Sequence, residues 1–161
     1  MNTFCDYFDN DSDWLVPSDQ LTVTAISELL AGAGIDHDEP QDESIYAFGL
    51  GFPIWIKIIR PSRSIYLSTY SQGAPDVHEV DALQFANLRN DELPLVQFSW
   101  SAAYRLEGHY SLPYDAGLPR TQLLRCIQRF AAIFARATMV GIECGILCRP
   151  GVGTPEPQFS N

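Results

Sequence analysis

The chain has 161 residues, 46% of them hydrophobic and 19% charged, with a formal net charge of −10. This composition suits one folded domain with a proper core and excludes global disorder. The acid surplus repels a phosphate backbone, so no nucleic-acid partner is expected, and no apolar run approaches the roughly 18 residues of a membrane span, so no membrane partner is expected either.

The N-terminus "MNTFCDYFDN" is acidic and lacks the basic and then apolar regions of a secretory signal, which points to a cytoplasmic protein. The four cysteines, Cys5, Cys126, Cys144 and Cys148, then read as reduced thiols. Charge is unevenly placed. Residues 1–56 hold eleven Asp and Glu and no base, whereas the ten bases, nine of them Arg, lie between Lys57 and Arg149.

Residues 1–20 form an acidic lead-in, 21–148 a single α+β domain, and 149–161 a tail rich in Pro and Gly. Pro17 biases Val16 toward extended angles. Helical spacing of Val23, Ile26, Leu30 and Ala33, with Leu29 widening the stripe, predicts a first helix that stops at Gly34. Thr22 and Thr24 both qualify as its cap. Ile45–Leu50 and Phe52–Ile59 read as strands joined at Gly49 and Gly51, and Ser64–Ser71 as a third. A second helix spans about Asp76–Asn90, with Val80, Leu83 and Leu88 supporting its apolar face. Leu95–Ser101 and Tyr104–Leu112 form a hairpin across Ala102 and Ala103. A long helix runs from Pro119 to about Met139, lined by Leu123, Ile127, Phe130, Phe134 and Ala137.

The order α-β-β-β-α-β-β-α predicts an α+β fold: an antiparallel five-stranded sheet with helices packed on one face. Period two assigns Ile54, Ile56, Ile58, Ile65, Leu67, Val96, Phe98 and Trp100 to the core side. The opposite side carries Trp55, Lys57, Ile59, Tyr66, Ser68, Tyr70, Gln97, Ser99, Ser101, Arg105, Glu107 and His109. It is polar but studded with aromatics.

No motif commits the chain to catalysis. "DNDSDWLVPSDQ" begins like a calcium loop, yet Trp14 replaces the glycine of position six and Gln20 the glutamate of position twelve. "DHDEPQDES" fails in the same way, with Gln41 and Ala47 at those positions. Both are read as solvated loops, and no metal or other cofactor is expected. Cys144 and Cys148 lack a second ligand pair for zinc and have three residues between them rather than two, so they read as small buried hydrophobes. Cys126 with His109 is the one nucleophile–base pairing that can be drawn, and Cys126 falls on the apolar flank of its helix. His78 reads as a polar residue of a first helical turn. "NLRNDELP" (Asn87, Arg89, Asn90, Asp91, Glu92) reads as a helix end. Arg120, Arg125, Arg129 and Arg136 form a solvated or partner-facing stripe. Trp55, Tyr66 and Tyr70 are candidate protein-binding anchors, since Trp and Tyr dominate interface energetics, although strands favour them for their own reasons.

Several phrases resemble the YbjN family, bacterial proteins described as sensory transduction regulators: "ISELLAGAGI", "FGLGFPIWIKI", "ALQFANLRNDELPLVQFSW" and "YRLEGHYSLPYDAGLPRTQLLRCIQRF". They cover about Thr22–Met139. The resemblance implies a fold like that of the type III secretion chaperones, which are typically cytosolic homodimers that hold extended protein segments, and it brings no enzymatic activity. The expected function is a non-enzymatic protein-binding domain, chaperone-like or a regulatory adaptor. A ligand-sensing regulator or a small Cys-dependent hydrolase are the alternatives.

Overall fold

The computed structural model describes residues 15–149. Residues 1–14, with the first three acidic donors of the calcium-like loop, and most of the tail lie outside them. In chain order the elements are β1 (Leu15–Val16), α1 (Val23–Gly32), β2 (Ser44–Ala47), β3 (Ile54–Ile59), β4 (Ser64–Gln72), α2 (Glu79–Glu92), β5 (Gln97–Ser101), β6 (Arg105–Pro113), β7 (Leu118–Pro119) and α3 (Arg120–Glu143). Five strands form one antiparallel sheet in the order β2-β3-β4-β6-β5, while β1 and β7 pair separately. The α+β architecture is thus the expected one. Among the described residues no helix is long and apolar enough to cross a membrane.

The described residues fall into two compact units, 15–68 with 110–132, and 69–109 with 133–149. In the first unit, α1 starts where Thr22 Oγ1 accepts the Ala25 N–H at 3.1 Å, which settles the choice of cap. The helix buries Ile26, Leu29 and Leu30 and ends at Gly32 with Ala33 as its C-cap; Gly34 follows, and its φ of +69° suits a residue without Cβ. Ile54, Ile56, Ile58, Ile65 and Leu67 are all buried, as their alternation requires. Leu123, Ile127 and Phe130 on the first half of α3 join them. Pro119 is the last residue of β7 rather than part of the helix, because its extended neighbour Leu118 is paired with Val16.

The second unit corrects the reading of α2. Val80, Leu83 and Leu88 are 63%, 43% and 48% exposed, and the buried side consists of Ala82, Phe85, Ala86 and Arg89. Small alanines let the helix lie close to its support, and a row of large aliphatics could not occupy the same space. Its N-cap is His78, which makes no side-chain capping bond, and Glu79 and Asp81 in the first turn complement the positive helix end. The β5–β6 hairpin turns through three residues, since Ser101 pairs with Arg105 and Tyr104 takes a φ of +53°. Gly108 makes room for Phe134: a Cβ there would stand 2.5 Å from the ring. Gly73 likewise lies under Trp100, at 2.4 Å from an added Cβ. Trp100 itself is half-buried rather than in the core. Residues after α3 return to pair with the chain beyond β4, through Cys148 N–H to the Gln72 carbonyl at 2.9 Å and Ala74 N–H to the Ile146 carbonyl at 2.9 Å.

Candidate functional site

In the first unit, the outward rows of β2, β3 and β4 gather aromatic rings. Tyr46 is the register partner of Trp55, with ring centroids 4.8 Å apart and tilted by 55°. Phe48 follows on the same side, 6.1 Å from Tyr46 and 38% exposed. Tyr66 faces Lys57, and Ser68 faces Trp55, so Tyr66 is the diagonal neighbour of Trp55 on that side. Two sequence-assigned anchors, Trp55 and Tyr66, are therefore brought onto one surface, and both are half-buried. Tyr46 and Phe48 were missed by the sequence reading. Their signal was present, because they alternate with the buried Ile45 and Ala47.

The outer edge of β2 is covered by its own chain. Asp38 N–H donates to the Tyr46 carbonyl at 2.9 Å, and Phe48 N–H donates to the Asp36 carbonyl at 2.8 Å. His37 holds this covering loop in place. Its Nδ1 donates to the Ile35 carbonyl at 2.9 Å, which leaves Nε2 to accept the Ser27 hydroxyl at 2.8 Å. This resembles a nucleophile–base dyad, but Ser27 lies inside α1, where backbone N–H groups are engaged in the helix and do not form an oxyanion site.

In the second unit, Tyr70 lies under a cation: the Arg105 guanidinium is 4.4 Å from its ring centroid. Arg105 Nε also donates to Glu107 at 2.8 Å. The third sequence-assigned anchor is thus a stacked, charge-covered ring.

At β5 the outer edge is closed by a side chain. Asn90 Nδ2 donates to the Phe98 carbonyl at 2.9 Å, and Asn90 Oδ1 accepts the Phe98 N–H at 2.7 Å. The phrase "NLRNDELP" therefore has a structural use, but its amide serves the neighbouring strand rather than its own helix end. Arg89 is 7% exposed, pairs with Glu92 at 2.9 Å and lies 5.0 Å from the Phe85 centroid. Asn90, Leu93, Pro94, Leu95, Val96, Gln97, Phe98 and His109 line an open cleft of about 450 Å³. Leu95 enters it at a φ of +91°, which is strained for a residue with a branched side chain.

The cysteines depart from the sequence expectation in part. Cys144 is exposed, and Cys148 is half-buried with its Sγ 3.0 Å from the Gly73 carbonyl. Burial raises the Cys126 thiol above its ordinary range, more than the Tyr110 hydroxyl and Arg129 lower it. The polar group beside Cys126 is thus a phenol, itself pushed up by burial and by the thiol. An activated nucleophile requires the opposite shift. Among the described residues no group of three or more His, Cys, Asp or Glu side chains could hold a metal ion.

The YbjN family profile, described as "Putative bacterial sensory transduction regulator", matches residues 22–138. The chain belongs to the YbjN family. The crystal structure of YbjN from E. coli superposes with a TM-score of 0.67 at 12% identity, covering 80% of this chain and 97% of that one. The HopA1–SchA chaperone–effector complex contributes a second similar structure, with a TM-score of 0.51 at 11% identity over 71% of this chain and 88% of that one. At such identities the likeness is one of fold. A search of curated proteins found no match.

Proposed function

We infer that this YbjN-family chain is a non-enzymatic protein-binding domain, chaperone-like or a regulatory adaptor, that works through the outward aromatics of its sheet. The observation that carries this reading is the Tyr46–Phe48–Trp55 cluster with Tyr66 beside it. Clustered Tyr and Trp supply large contact area for little conformational entropy. Tyr70 beneath Arg105 is a separate anchor in the second unit. Strand addition is a weaker alternative, because hydrogen bonds already occupy β2's outer edge and β5's outer edge at Phe98. The reading includes a cytoplasmic location and a homodimer, the latter supported by the exposed Val80, Leu83 and Leu88 of α2.

The test is affinity capture from the host lysate with the wild type and a Trp55→Glu, Tyr66→Glu variant, after circular dichroism shows that both fold. A partner held by the first and lost by the second is the expected result. Capture of the same partner by both moves the binding surface elsewhere. Capture by neither counts against protein binding.

A second reading, a ligand-sensing regulator, is favoured by the open cleft beside Asn90, whose mixed polar and apolar lining includes His109 and the strained Leu95. Native mass spectrometry of protein purified from its host checks it, since a retained small molecule lost in a Leu95→Trp variant would support this reading.

A further inference from the structure

We propose that the outward face of β2, β3 and β4 takes an extended peptide segment of defined chemistry. The segment carries a carboxylate two residues from an aromatic or large aliphatic side chain, with the carboxylate on Lys57 and the apolar group on Trp55. This occupant rests on the protein-binding reading of the same face and adds the character of the partner.

Lys57 is the sole lysine of the chain. It is exposed in the middle of β3, between its register partners Ser44 of β2 and Tyr66 of β4. Trp55, two residues earlier, lies on the same side of the strand, with the Tyr46 ring 4.8 Å from its own. Among the described residues Lys57 has no carboxylate within salt-bridge distance. Glu43, next to Ser44 in the chain, is engaged by Arg60 at 2.9 Å instead. An open cation therefore stands within a patch of rings that offers contact area but no charge of its own.

Spacing decides the form of the partner. Side chains two apart on a strand stand about 6.6 Å from each other, and an extended peptide has the same period. One of its side chains can cover Trp55 while the next on that side reaches Lys57. A single ammonium neutralises one carboxylate, whereas a phosphate monoester, with close to two charges, would be left half-paired. Apolar neighbours lower the local polarity and strengthen the pair relative to one in open water. The rest of the chain works against it. A net charge of −10 favours basic peptides at long range, so a preference for acid has to be local.

Panning a random dodecapeptide phage library on the full chain tests this, with Lys57→Glu and Trp55→Thr variants alongside and circular dichroism showing that each folds. Wild type is expected to enrich peptides with Asp or Glu two positions from Trp, Tyr, Phe or Leu. Lys57→Glu is expected to enrich Lys or Arg at that spacing. A synthetic peptide of the wild-type consensus is expected to bind Lys57→Met about three- to tenfold more weakly in fluorescence anisotropy, the scale of one partly exposed ion pair. High salt is expected to narrow that gap. If the Glu variant unfolds, Lys57→Met is panned instead and is expected to lose the acidic preference. Peptides that need Trp55 but show no acidic preference overturn the proposal and leave the aromatic surface standing as a protein-binding face. An acidic preference that survives Lys57→Met overturns it too. Selection of no peptide that depends on Trp55 overturns the proposal together with the reading it rests on.

Discussion

Asn90 is joined to Phe98 by two hydrogen bonds, donating to its carbonyl at 2.9 Å and accepting its N–H at 2.7 Å. One side-chain amide on α2 thus does for the edge of β5 what a further strand would do. Phe98 pairs across with Gly108, and its two peptide groups turned away from β6 would otherwise face solvent or another chain. Asn90→Ala is expected to destabilise by about 1–3 kcal/mol, because both partners of the amide lose their bonds together. The freed edge is also expected to promote self-association. Denaturant titration and light scattering check the two effects, and a variant with unchanged stability would show that the clamp contributes nothing.

Phe85 and Leu88 stand three residues apart on α2, Phe85 on its buried side and Leu88 at that side's exposed margin. Phe85 is 7% exposed and Leu88 is 48% exposed. Phe85→Ala is expected to cost about 3–5 kcal/mol, as deletion of a buried ring does. Leu88→Lys is expected to change stability by about 0.5 kcal/mol or less. Urea unfolding of the two variants checks the orientation, and the reverse ranking would place Leu88 in the core.

Gly108→Ala sets a methyl group against the Phe134 ring, at 2.5 Å if nothing moves. Phe134 is fully buried, so the ring has little room to give way. A loss of about 1–3 kcal/mol is expected, measured by thermal unfolding. Phe134→Leu in the same chain is expected to recover part of it.

Cys126 is expected to alkylate more slowly than Cys144 at neutral pH. The exposed Cys144 meets reagent directly, whereas burial holds the Cys126 thiol above its ordinary range. The sign follows from the thiolate being the reactive form: its fraction in Cys126 grows only as pH rises past the ordinary thiol range. The same shift makes the folded state lose a little stability as pH climbs from the unfolded thiol's pKa toward the folded one. Mass-resolved iodoacetamide labelling against pH checks this, and fast labelling of Cys126 at neutral pH would revive a Cys-dependent hydrolase.

Alternation along β3 and β4 was legible in the sequence because a one-residue slip would place Ile54, Ile56, Ile58, Ile65 and Leu67 in water. The apolar stripes of α1 and α3 were legible for the same reason. By itself, then, the sequence determined the α+β class, the order of the three helices and the five strands of the main sheet, the core side of the central strands and the aromatic character of the outer side. Residues far apart in the chain decided the rest. Whether α2 shows its alanines or its leucines to the core depends on how closely its support approaches, and local spacing carries both patterns at once. The pairing of Leu15 with Pro119, the closure of β5 by Asn90 and the placement of Tyr110 at Cys126 each join separate elements. Such contacts are set by packing at close range, which only the folded chain brings about.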